Sequence, residues 1–189
     1  MMSIVLCNDR DDALLAYLIK TWSESNKKGM GRTLVQKVCY FLKARGTPLR
    51  FKFEIHHYGP YSEELFFEMD KLEADEIVLD LSPDDGRSEY VPGPSSDVLI
   101  KSFSEDVGTH SSAIHDVVGL FTGAKPAVME LLSTVHYQYM YALRRDNRIP
   151  ADGQVVELVT RVKKDKFGEE LILDALRDMK KAWVLGWKG

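Results

Sequence analysis

Apolar residues recur at helical spacing along most of this chain, and that period limits its fold more than any other feature. Leu14, Leu15, Leu18, Ile19 and Trp22 fall at i, i+1, i+4, i+5 and i+8 and predict an amphipathic helix over 9–24. Asp9, Asp11 or Asp12 can cap its start and complement its dipole. Leu34, Val35, Val38, Phe41 and Leu42 predict a second helix over about 33–44, stopped by Gly46 and Pro48. Ser62, followed by Glu63 and Glu64, opens a third, which Leu65, Phe66, Met69 and Leu72 carry to about Ala74. Past the linker candidate Pro92–Ser96, helical spacing covers roughly 97–107, 111–121, 125–143, 152–164 and 168–182. Pro126 suits a first turn, and Val128, Leu131, Leu132, Val135 and Tyr139 are the expected packing face of that helix.

Strand signals are few and confined to the first half. Arg50–Ile55 alternates polar and apolar, with Phe51, Phe53 and Ile55 inward, and Gly59-Pro60 reads as the turn after it. Glu76–Leu81 and Ser88–Val91 read as a hairpin around the turn-forming Ser82-Pro83-Asp84-Asp85-Gly86-Arg87. The expected fold class is α+β and mainly helical. A winged-helix-like N-terminal domain over 1–92 carries the small β-hairpin, and a helical region over 97–189 packs on it, with one continuous domain as the alternative.

Composition excludes several classes. A chain of 189 residues with 44% hydrophobic and 29% charged residues can bury a core, and no apolar run approaches the roughly 18 residues of a membrane span. The start, Met1 to Cys7, lacks a basic lead and is too short in apolar residues for a signal peptide. Two cysteines, Cys7 and Cys39, make no disulfide framework, and the expected location is a reducing cytoplasm.

The net charge of −4 conceals segregation. Asn26–Phe53 holds eight bases and no acid, whereas Glu54–Glu89 holds twelve acids against Lys71 and Arg87. The two segments either neutralise each other or present opposite faces to partners. An anion or nucleic acid would find Lys27, Lys28 and Arg32 beside Gly29-Met30-Gly31 at a helix start, or Lys163, Lys164 and Lys166 near the last helix pair. The acidic helix over 62–75 would repel the major groove, which argues against standard winged-helix DNA reading.

Two short motifs stand out: Val35-Gln36-Lys37-Val38-Cys39-Tyr40-Phe41-Leu42 and His57-Tyr58-Gly59-Pro60-Tyr61-Ser62. Together they resemble the YwgA-like proteins and, more distantly, the Panacea (SocA-like antitoxin) domains. Glu130-Leu131-Leu132-Ser133-Thr134-Val135-His136 resembles a helix of the YwgA-like group. The resemblance implies a small regulatory or adaptor module that acts through protein contacts. Its centre would be Gln36, Lys37, Tyr40, His57, Tyr58, Gly59, Pro60 and Tyr61. On spacing alone, Gln36 and Lys37 could bond the Tyr58-Gly59-Pro60 turn, and Pro60 could begin the following helix.

Catalytic signals are weak. Cys39 reads as a packed thiol, and Cys7 lies near a helix start that could lower its pKa but has no evident base. No catalytic set, metal or cofactor is assigned. The expected function is a non-catalytic adaptor with a protein partner, a homodimer remaining open. A helix-turn-helix type nucleic-acid-binding regulator is the alternative, and a metal-dependent hydrolase using Glu54, His56 and His57 is a third reading. His136, Tyr137, Met140 and Tyr141 are expected to form an exposed contact stripe, and Trp183 to lie in the core.

Overall fold

The computed structural model describes residues 7–82, 87–164, 166–182 and 184–186. Trp183, Trp187 and most of the turn over 82–87 lie outside the described residues. The chain forms α1 (Arg10–Asn26), α2 (Arg32–Arg45), β1 (Glu54–His56), β2 (Gly59–Tyr61), α3 (Glu63–Ala74), β3 (Val78–Asp80) and β4 (Tyr90–Pro92). The rest is α4 (Ser96–Ser102), α5 (Ser104–Phe121), α6 (Pro126–Asp146), α7 (Asp152–Lys163), α8 (Glu169–Lys181) and a short 3-10 turn, Val184–Gly186. This is an α+β, mainly helical fold with two small antiparallel hairpins.

The helix starts follow from their caps. Asp9 and Asp12 form a reciprocal capping box at α1, and the Ser62 hydroxyl accepts from the Leu65 N–H at 3.3 Å at the start of α3. Pro60 therefore does not begin α3. It sits in β2, where its missing N–H costs little at a short ribbon.

Two hairpins form where the sequence suggested a strand and one hairpin. β1 pairs with β2 through Glu54–Tyr61, Ile55–Pro60 and His56–Gly59, so the reversal falls at His57-Tyr58 and not at Gly59-Pro60. β3 pairs with β4, and Met30 bridges to Tyr90 at its edge. The 92–96 stretch is tied down: Gly93 N–H donates to the Ile77 carbonyl at 2.8 Å and Ser95 N–H to the Glu76 carbonyl at 3.1 Å.

One buried apolar cluster runs from α1 to the last turn. α1 packs on α4 and α5, α2 on α5 and α6, and α6 on α7 and α8. Trp22, Phe41, Phe51 and Met30 are fully buried, and the Phe41 and Phe121 rings lie 4.6 Å apart. Burying each such side chain contributes about 1.5–3 kcal/mol. α6 packs through the expected Leu131, Val135 and Tyr139, with Leu132 partly buried, but Val128 is exposed and Met129 lies in the core. No helix among the described residues is long and apolar enough to cross a membrane.

Candidate functional site

α2 and α6 run side by side in the same direction, with the β1–β2 ribbon laid across them. Their first turns line one cleft, and their last turns line another. Midway, Lys37 Nζ donates to the Pro60 carbonyl at 2.5 Å. Gln36 bonds Ser62 at both ends of its amide, donating to the carbonyl at 2.9 Å and accepting from the N–H at 2.8 Å. Gly59 is held at φ +90°, and a Cβ there would lie 2.8 Å from Thr134 Oγ1. Glycine is required because the backbone is left-handed and α6 leaves no room for a side chain.

Glu130 locks the ribbon from the other side. Its side chain is 5% exposed and receives Lys163 Nζ at 2.9 Å and Lys166 Nζ at 2.8 Å, while Lys163 also donates to the His57 carbonyl at 2.6 Å. Burial works to raise the Glu130 carboxyl, but Lys166 and Lys163 together hold it below its ordinary value. Burial, with Lys163 nearby, lowers Lys37 to about 8.

Beyond this lock, Tyr40 Oη lies 2.7 Å from His136 Nδ1, and His136 Nε2 lies 3.2 Å from the Val184 carbonyl. A carbonyl only accepts, so Nε2 carries the imidazole proton and Nδ1 accepts from the Tyr40 hydroxyl. Burial lowers His136 to about 4, which keeps the ring neutral. Above this pair opens a cavity of about 450 Å³. Phe53, Tyr137, Met140 and Tyr141 give it an apolar wall, and Lys43, Arg144 and Arg145 also line it. Those bases also complement the negative ends of α2 and α6.

The motif residues therefore divide. Gln36, Lys37, Tyr40, Gly59 and Pro60 are buried and join elements of this chain to each other. His57 and Tyr58 are exposed at the ribbon tip, where Lys166 lies 5.3 Å from the Tyr58 ring centre, and Tyr61 is half-buried against His56. The expected stripe is not an exposed one, since His136 and Met140 are buried and Tyr137 half-buried. All four nonetheless line the cavity. Phe53, expected only as an inward strand residue, completes it with Lys43, Arg144 and Arg145, which sequence reasoning did not single out because the helix pairing that gathers them has no local signal.

Among the basic candidates, Lys28 and Arg32 line the cleft at the other end of the helix pair. Lys27 is the exposed left-handed C-cap of α1, and Lys164 is likewise the exposed C-cap of α7. Lys163 is buried against Glu130 and faces inward. Arg161, Arg177 and Lys180 pair with Glu157, Asp174 and Asp152 at 2.6 to 2.7 Å, so much of the basic charge of α7 and α8 is matched within the chain. Arg50 joins the basic and acidic segments through Glu68 at 2.8 Å, and also holds Asp9 at 2.6 Å.

Both thiols are buried. Cys7 is raised to about 12 by burial and the Asp12 and Asp75 charges, the reverse of the lowering its place near a helix start suggested. Cys7, Asp12 and Glu68 each offer an atom within 4.8 Å of the others, a spacing that could hold a metal ion, but Arg50 already supplies a cation to Glu68 there. Glu54, His56 and His57 are all exposed at the ribbon surface.

A mainly helical α+β chain with a ribbon-locked helix pair and an aromatic cavity at one end is the class that fold and site define. No protein-family model matches it. Over 57 residues, 30% of this chain, it is 40% identical to the uncharacterised protein YwgA of Bacillus subtilis (strain 168), and the match spans 34% of that protein's length. The likeness thus covers about a third of each chain, and the Panacea resemblance stays an expectation.

Proposed function

We propose that this protein is a non-catalytic adaptor whose partner docks a short acidic segment, bearing an aromatic or leucine side chain, into the cavity between the ends of α2 and α6. The observation that carries this reading is the cavity's composition. Phe53, Tyr137, Met140 and Tyr141 offer an apolar pocket that Lys43, Arg144 and Arg145 also line, with Lys43 donating to the Phe51 carbonyl at 2.6 Å and Arg145 paired to Asp146 at 2.7 Å. Aromatic residues, Met and Arg are the types enriched in interfaces, and a basic lining selects for acidic partners. Tyr141, 48% exposed, is the exposed aromatic side chain of its lining.

The test is capture from lysate of the source organism, with and without nuclease, by the wild type and by Tyr141→Glu. The expected result is a stoichiometric protein that survives nuclease and is lost with Tyr141→Glu. Capture that vanishes with nuclease, or that ignores the substitution, would overturn this reading.

A further inference from the structure

We infer that the cleft where α2 and α6 begin binds a small oligophosphate, a ligand with two or more linked phosphates. This goes beyond the adaptor reading and does not depend on it.

The cleft is a cavity of about 680 Å³. Four bases line it: Lys28, Arg32, Arg87 and Lys125. They come from three separate parts of the chain, so the fold gathers them. Arg32 is held in place, its Nε donating to Tyr90 Oη at 3.3 Å and its guanidinium resting over the Phe66 ring at 5.0 Å. A concave site with converging cations concentrates positive potential where a compact anion can sit.

The two helix starts reinforce these cations. Among the α-helices of the described residues, α1, α3, α4, α5, α7 and α8 each carry at least one acid in the first turn. α2 and α6 carry none, and neither start has a side-chain cap. An acid there would offset the positive end of the helix dipole. The two uncompensated ends open on the same cleft because the helices are parallel.

One acid, Glu89, lines the cleft as well, and its Oε1 accepts the Gly29 N–H at 2.9 Å. A Cβ at Gly29 would collide with Glu89, so glycine is what admits this contact. The ligand is short, not a nucleic acid strand, because α3 lies beside Arg32 and exposes Glu63, Glu64, Asp70 and Glu73. A long polyanion leaving the cleft would meet that acidic surface.

The test is calorimetric titration of the full chain with pyrophosphate, inorganic phosphate and sulfate at low ionic strength. Pyrophosphate is expected to bind at least tenfold more tightly than either single anion. Lys28→Glu with Lys125→Glu should weaken it thirtyfold or more, while Lys101→Glu, on an exposed part of α4, should leave it unchanged. Glu89→Gln keeps an acceptor for Gly29 and removes a charge, so it should tighten binding, an effect that a purely structural role would not produce. If the double variant fails to fold, Lys125→Ala should weaken binding about tenfold. The inference is overturned by no pyrophosphate binding, by equal loss in Lys101→Glu, or by a duplex oligonucleotide that binds there and is not displaced by pyrophosphate.

Discussion

Tyr40 Oη and His136 Nδ1 meet at 2.7 Å in the seam between α2 and α6, and the hydroxyl donates there because the Val184 carbonyl holds the imidazole proton on Nε2. The same pair forms the floor of the aromatic cavity. Tyr40→Phe would keep the ring packing, including the edge contact to Phe53, but leave His136 Nδ1 without its donor. An unmet buried acceptor costs about 1–3 kcal/mol. Urea unfolding at pH 7 should show that loss, and an unchanged midpoint would contradict the assigned bond.

His136 should make the protein sensitive to mild acid. Its folded pKa of about 4 lies below the unfolded value of 6.5, so unfolding takes up a proton between those limits. Stability therefore falls as pH drops from 6.5 toward 4, by up to about 3 kcal/mol from this group. Unfolding midpoints of His136→Gln across that range should show a flatter acid limb than the wild type.

Asp12 has the opposite sign. Burial, then the hydrogen bond it shares with Glu68, raises its carboxyl above the usual range, so the folded chain holds a proton the unfolded chain releases. Its contribution is present at low pH and is lost as pH rises through the folded pKa. Around the pair stand Asp9, Asp11, Asp75, Cys7, Arg50 and Lys71. Asp12→Asn supplies a permanent donor toward Glu68 while keeping an acceptor for the Asp9 N–H. Its stability relative to wild type should increase from pH 5 to pH 8.

Glu130 balances two lysines, one of them buried with it. Glu130→Gln would leave Lys163 charged in a dry site without its carboxylate, a change that costs about 3–5 kcal/mol. The His57 carbonyl would be its remaining acceptor beside the new amide, and neither carries charge. Chemical denaturation should show it, together with release of the ribbon tip read as faster amide exchange at His57 and Tyr58.

Gly59 and Gly46 separate two reasons for glycine. Both have positive φ, but a Cβ at Gly46 meets nothing within 4 Å, whereas at Gly59 it meets Thr134 and Ser133. Gly46→Ala should cost about 1 kcal/mol of backbone strain, and Gly59→Ala clearly more. Thermal melts of the two variants should differ in that order.

The sequence by itself determined the helices. Local period, caps and breakers placed α1, α2, α3 and α6 within a few residues, because helical hydrogen bonds and the apolar stripe are properties of a contiguous segment. It also marked Gln36, Lys37 and Gly59 as belonging together. What each motif residue faces was decided only by tertiary structure. Val128 and Met129 are neighbours on one helix, and which of them enters the core depends on where α6 lies. Lys163 looks like surface charge until Glu130, from a different helix, is set against it. The ribbon pairing of β1 with β2, the parallel course of α2 and α6, and the two cavities at their ends depend on contacts between segments far apart in the chain. Such contacts leave no periodic trace in the order of residues, because their free energy exists only once the packed partners have met.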